Sequence, residues 1–317
     1  MQEKEQSRLR VFLDSDLVHS FKRSPTAICA TIATLLCFAV ALFAPLISPH
    51  CVEPICLDLM NGLTPPAWSD AGVPEFLLGT DEQGRDILSG IFHASRISLT
   101  VGFAAVGFGM FLGVSLGVIA GYFGGWVDAL IMRLADMQLT FPSILVALLI
   151  AGVVRSVLVD LSDRGILTGV TFDDVAVFVL IIAIGLSNWP NFARVARGAT
   201  MVELSKGYVS AARVLGLPAT RIMARHVLPN LMGPVLVIAT LGLALAIIAE
   251  ATLSFLGVGV PPTNPSLGTL INIGNEYLFS GEWWITLFPA LALVLLVLSV
   301  NVIGDWLRDA LNPKLRR

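Results

Sequence analysis

From Pro25 to Ile47 the chain runs for 23 residues without an acidic or basic side chain, and from Ile97 to Gly121 it does so again for 25. A helix rises about 1.5 Å per residue and a bilayer core is about 30 Å thick, so about 20 apolar residues suffice to cross it. Four further stretches fit: about Val127–Val154, with Arg133 and Asp136 near its start; about Val175–Val195, containing Trp189-Pro190; about Leu231–Gly257; and about Trp283–Ile303. Charged residues make up only 14% of the chain and hydrophobic ones 56%, too little polar surface for a soluble protein of this length. Backbone in lipid must satisfy its own hydrogen bonds, so these runs read as helices. The expectation is an all-α integral membrane protein with six transmembrane helices.

Basic residues orient it. Lys4, Arg8, Arg10, Lys22 and Arg23 precede the first span; Arg308, Lys314, Arg316 and Arg317 come after the last. Between spans four and five lie Arg194, Arg197, Lys206, Arg213, Arg221 and Arg225. With Arg133, that puts 16 of the 20 basic residues on one side. Both termini are therefore expected in the cytoplasm, which requires an even number of spans. Residues 1–22 read as a surface helix or a frayed tail. The first run is too long for a signal-peptide core and reads as a retained span. Residues 48–96 form a polar outer segment, 155–174 a second outer loop with Asp160, Asp163, Asp173 and Asp174, and 196–230 the longest inner loop. Cys51 and Cys56 lie in the first outer segment, where a disulfide and two free thiols are both open.

Several chemistries are missing from the sequence. It has no GxxxxGK[ST] phosphate loop and no HExxH. Its four histidines, His19, His50, His93 and His226, lack metal-ligand spacing. No catalytic residue, bound metal, cofactor or nucleic-acid partner is expected.

Gly109, Gly113, Gly117 and Gly121 recur every fourth residue and Ala105 extends the stripe. Small residues so spaced let two helix backbones approach closely in lipid. Packing within the chain is one reading, a sliding or pore-lining interface the other. Arg133 and Asp136, three apart, suit a structural ion pair. Glu250, late in the fifth span, either contacts a substrate or braces a neighbouring helix. Asn188, Asn191 and Asn301 suit hydrogen bonds between helices. In the inner loop, Lys206 to Leu215 reads as a short helix with Tyr208, Ala211, Ala212 and Leu215 on one face. Gly216 permits a turn, Pro218 suits the start of a second helix, and Pro229-Asn230 is expected to break that helix before span five. Such a helical hairpin fits a groove on a partner protein, or else lies on anionic lipid.

Ser210-Ala211-Ala212, then Gly216, then Leu228-Pro229 resembles the EAA loop of ABC-importer permeases, with Ser210 where the family commonly has Glu. Leu78-Gly-Thr-Asp-Glu-Gln-Gly-Arg-Asp86, Ser95-Arg-Ile-Ser-Leu99 and Gly121-Tyr-Phe-Gly-Gly-Trp-Val-Asp128 with Met132-Arg133 and Asp136 resemble further segments of that family. So do Trp189-Pro-Asn-Phe-Ala-Arg194, Leu253-Ser-Phe-Leu-Gly257 and Gly304-Asp-Trp-Leu-Arg-Asp309. Together they are similar to the C-type permease of dipeptide, oligopeptide and nickel ABC importers, over about residues 25–317; the 155–174 loop is longer than usual there.

The resemblance implies a type I importer permease fold with cytoplasmic coupling helices, in a bacterial inner membrane. It divides the chain into a cytoplasmic segment 1–24, a first helix 25–47, a periplasmic segment 48–95, a type-1 permease domain 96–305 containing the coupling loop 196–230, and a tail 306–317. Implied partners are a B-type permease, two ABC ATPase subunits carrying ATP and Mg, a periplasmic or lipid-anchored binding protein, and membrane lipid. Tyr208, Ser210, Ala211, Ala212, Arg213, Gly216, Leu228 and Pro229 would couple to the ATPases. Asn188, Glu250 and Ser254 are candidates for a translocation path or gate. Peptides are the commonest implied cargo; nickel chelates, glutathione and opines are alternatives. A stand-alone secondary transporter or channel is the alternative of another class, and it would need ionisable groups at midplane sites.

Overall fold

The computed structural model describes residues 24–51, 58–164 and 172–310. Helix α1 is Pro25–Ile47, started by Ser24, whose hydroxyl accepts from the Ala27 amide at 3.3 Å. Helix α2 is Ile87–Phe123, longer than the apolar run suggests because Asp86 caps it, accepting from the Ser89 amide at 2.9 Å. Its first turns thus fall inside the expected 48–95 segment.

The third span is shorter than expected. Gly124 and Gly125, both at positive φ, end α2, and α3 (Gly125–Leu139) comes next. The Thr140-Phe141-Pro142 stretch separates it from α4 (Ser143–Asp163). Pro142 disfavours helical backbone at Phe141, and this break lies hidden in an apolar run. Of α3 and α4, only α4 is long and apolar enough to cross a membrane, so Arg133 and Asp136 lie on α3, outside the spans. The acidic 155–163 stretch continues α4 and is not loop.

Helix α5 (Phe172–Leu204) passes straight through Pro190; α6 is Gly207–Val214 and α7 Ala219–Ile222. A π-turn at Met223–Val227 joins α7 to α8 (Leu228–Phe255). Pro229 therefore breaks nothing. The π-turn shifts the bonding register, with the Leu228 amide donating to the Met223 carbonyl, and proline's missing amide falls where the new register begins. The connection after α8, expected as loop, holds α9 (Leu267–Tyr277); α10 is Trp284–Ala310. Among the described residues, six helices are long and apolar enough to cross a membrane: α1, α2, α4, α5, the continuous Ala219–Phe255 helix, and α10.

The glycine stripe is a helix seam inside the chain. A Cβ on Gly109, Gly113, Gly117 or Gly121 would stand 2.8, 2.4, 2.3 or 2.9 Å from the carbonyl oxygens of Gly185, Trp189, Ala193 and Arg197. Both sets step by four, so α2 and α5 run parallel in one fixed register. Around this seam, α2, α5 and α8 share buried clusters with α4 and α6, while α1, α9 and α10 pack on the other flank of α2 and α8.

Candidate coupling and translocation sites

Helix α6 is tied down by one face only. Val209 and Ala212 are buried against Ile222, Val227, Leu231 and, on α2 and α5, Val114, Val118 and Ala196. The face expected from the spacing divides: Ala212 turns inward, whereas Tyr208, Ala211 and Leu215 are exposed. Ser210 and Arg213 join them outside, and Val214 and Leu215 are 89% and 78% exposed. The buried partner of Ala212 is Val209, which lies off the face that the spacing picks out.

The turn after α6 depends on Gly216 at φ +72°. Its amide donates to the Arg213 carbonyl and the Leu217 amide to the Ala212 carbonyl, at 3.0 and 3.2 Å. This double bond is the Schellman closure, which needs a left-handed residue at that place. No atom lies within 4 Å of a Cβ built there, so the glycine serves conformation and not clearance.

Side chains lock the hairpin at its open side. Glu203, buried at the end of α5, accepts from Lys206 Nζ at 2.6 Å and from the Tyr208 hydroxyl. Asn230 donates to the Tyr208 oxygen at 3.1 Å and to the His226 carbonyl at 2.7 Å, beside Pro229. Burial, and then the bond to Glu203, push the Tyr208 phenol above its ordinary pKa, so it stays a donor. Arg213 lies over the Tyr122 ring, 5.4 Å from its centre, which holds α6 to the end of α2. Glu203 and Asn230 carry no signal in the sequence, because the fold and not the local spacing brings them to one tyrosine. Leu228 is half-buried and Pro229 exposed.

The structural ion pair is not the one expected. Asp136 pairs with Arg194 of α5 at 2.6 Å, and no ion pair joins it to Arg133. A residue three positions away is a weaker competitor than a guanidinium brought alongside by the α3–α5 contact. One turn further on, Arg197 grips Asp128 through both Nε and Nη2.

The three translocation candidates separate. Glu250 is wholly buried; its Oε2 accepts from Ser98 of α2 at 2.7 Å and its Oε1 from Ser254 at 2.8 Å. Ser98 in turn accepts from the Leu267 amide that opens α9, and Ser254 from the Val260 amide, at 3.3 and 3.1 Å. Glu250 and Ser254 therefore brace α2, α8 and α9, and neither reaches open space. Asn188 does: it lines a cleft of about 430 Å³ between α2, α5 and α8 with Asn191 and Arg194. Its amide donates to the Ile184 carbonyl of its own helix at 3.0 Å, not across helices.

In the segment between α1 and α2, Leu78–Asp86 folds back on positive-φ Gly79 and Gly84. Buried Asp81 and Arg85 pair there at 2.7 Å. The question of a Cys51–Cys56 disulfide and the structure of residues 1–22 lie outside the described residues. Among the described residues no group of three or more metal-ligating side chains comes together.

The fold is similar to that of a solved methionine ABC transporter, MetNI, in inward-facing conformations, with a TM-score of 0.51 at 19% identity over 71% of this chain and 96% of that one. In sequence the chain is 38% identical to the di/tripeptide transport system permease protein DppC of Pseudomonas aeruginosa (strain UCBPP-PA14), over 94% of this chain and 91% of that one. It is 36% identical to the dipeptide transport system permease protein DppC of Haemophilus influenzae, over 94% and 93%. Residues 113–317, which hold the glycine seam from Gly113 on, the α6 hairpin and the Glu250 brace, match a single family, and the chain belongs to it: the binding-protein-dependent transport system inner membrane components.

Proposed function

We propose that this chain is one permease of a two-permease, ATP-driven importer of di- or oligopeptides, with α6 as its seat on an ATPase subunit. The observation that carries this is the one-sided burial of α6: Val209 and Ala212 anchor it while Ala211, Val214 and Leu215 stay exposed. Exposed apolar side chains on a pinned helix suit a protein groove. The cargo class comes from the named relatives, which transport di- and tripeptides. Both termini and α6 face the cytoplasm on the distribution of Lys and Arg. A second permease completes the pore, and a binding protein delivers cargo to the opposite face. Closure of the ATPase pair on ATP pulls α6 and swings α8 toward the outward-open state; hydrolysis returns it. ATP and Mg are bound by those subunits, and this chain contributes no catalytic group.

Co-expression with the partner genes tests the reading. The tagged chain should co-purify two ATPase subunits, and proteoliposomes of the complex should accumulate a dipeptide only with ATP and the binding protein. Uptake by this chain alone, driven by an ion gradient, overturns it. Uptake of glutathione but of no dipeptide by the complex overturns the cargo.

A further inference from the structure

Two arginines one turn apart on α5 meet two aspartates of α3 in different ways. Arg197 spends both prongs on Asp128 and is a closed clamp. Arg194 gives Asp136 a single hydrogen bond, through Nη2 at 2.6 Å, and its side chain is 51% exposed. Arg194 also lines the 430 Å³ cleft, whereas Arg197 does not. The cleft volume lies within the roughly 300–1,000 Å³ of small-molecule sites. Its other walls, with Ile184, Leu241 and Leu245 among them, are largely apolar. Asn188, Asn191 and Arg194 stand at intervals of three on α5, so one helix face carries two amides and then a guanidinium along the cleft.

A carboxylate is what such a strip receives. A carboxamide's two N–H groups diverge, whereas a guanidinium grips a carboxylate with two parallel bonds. Asp136 already occupies one prong of Arg194 and marks the guanidinium as a carboxylate site; it is more exposed than Arg194, at 59%, and is free to yield. Resting on the peptide-importer reading, we propose that Arg194 receives the C-terminal carboxylate of the passing peptide, with Asn188 and Asn191 lining the approach to it. Asp136 then surrenders Arg194 to the cargo and reclaims it afterwards, which keeps the site from retaining its anion.

The test uses the whole complex with its binding protein in proteoliposomes, with dialanine and its C-terminal amide as probes. In Arg194→Gln, maximal dialanine uptake should fall about tenfold, as for loss of a charge-assisted bond, while any amide uptake falls less than twofold. Asp136→Asn should lower turnover by retaining the peptide; undiminished turnover overturns the proposal. Equal losses for both probes, or none, overturn the proposal. Where the amide is not delivered, a peptide with a photoreactive C-terminal residue should crosslink to residues 188–194; crosslinking only elsewhere also overturns it. The same assays in purely zwitterionic lipid exclude an anionic headgroup as the ligand: an Arg194→Gln defect that vanishes there overturns the proposal. If the wild-type complex takes up no peptide at all, the importer reading itself has failed.

Discussion

Gly117 sits so close to the Ala193 carbonyl that a Cβ added to it would stand 2.3 Å from that oxygen. Both positions are helix backbone with little freedom to retreat. Gly117→Ala should therefore lower the melting temperature of the detergent-purified chain, at a cost of about 1–3 kcal/mol for overpacking. Gly117→Leu should prevent recovery of folded protein. Gly107 lies on the same helix with nothing within 4 Å of its Cβ position. Gly107→Ala should be neutral or stabilising by up to about 1 kcal/mol, from helix propensity. Equal melting for the two alanine variants would remove the seam as a determinant of the fold.

Gly216 makes a different demand. Its φ of +72° costs a residue with a side chain about 1–2 kcal/mol, with no clash involved. Gly216→Ala should melt only slightly lower yet weaken the coupling of uptake to ATP hydrolysis. Gly216→Asp should abolish uptake and substrate-stimulated ATPase activity while insertion into the membrane stays normal. Persisting stimulation in the purified Gly216→Asp complex would detach α6 from coupling.

Glu250 tests bracing against transport. Glu250→Ala strands the hydroxyls of Ser98 and Ser254 in a buried place, at a cost of about 1–3 kcal/mol, and Glu250→Gln should cost less. Thermal melting should rank wild type above Gln above Ala. A Gln variant with unchanged melting but lost uptake would reassign Glu250 to the cargo.

Tyr277, at the end of α9, gives a pH signature. Its hydroxyl bonds to Glu82, and that bond, burial and the nearby Glu276 and Asp81 push its pKa from 10.0 to about 12. The folded pKa is raised, so the contribution to stability is complete below about pH 10 and is lost as pH rises through about 12. A tyrosinate absorbance titration should show late-titrating phenols, Tyr208 and Tyr277, with the component near pH 12 missing in Tyr277→Phe. A Tyr277→Phe curve that keeps the component near pH 12 would place it elsewhere.

The first span is legible to the residue, because Ser24-Pro25 is both a cap and a start, and no charge interrupts the apolar run beyond it. The glycine stripe is legible as a seam, since its period is that of a helix, but its partner is not: Gly185, Trp189, Ala193 and Arg197 form no small-residue stripe. Their carbonyls make the contact, and every residue has one; of the four, Gly185 alone also needs to lack a side chain, since a Cβ there would stand 2.8 Å from the Ala105 carbonyl. Hydropathy passes over Pro142 because apolar residues flank it on both sides of the turn, so α3 and α4 merge into one run. Spacing favours Arg133 over Arg194 for Asp136 because a local neighbour is visible in a sequence and a tertiary one is not. On α6, Tyr208, Ala211, Ala212 and Leu215 have the spacing of a buried face, yet of these only Ala212 lies inside, beside Val209, which is off that face.

From Ala219 to Phe255 the backbone is helical without a gap, about 55 Å at 1.5 Å per residue. The Gly216 turn, proposed above to seat on an ATPase, stands at one end of this rod and the Glu250 brace near the other. Force applied at α6 need not be handed from side chain to side chain. On the proposed coupling it arrives at Ser98 and α9 as tilt and torque of a single strut, softened at the π-turn collar where Met223–Val227 carries the wider bonding register and at Pro234, which has no amide to donate.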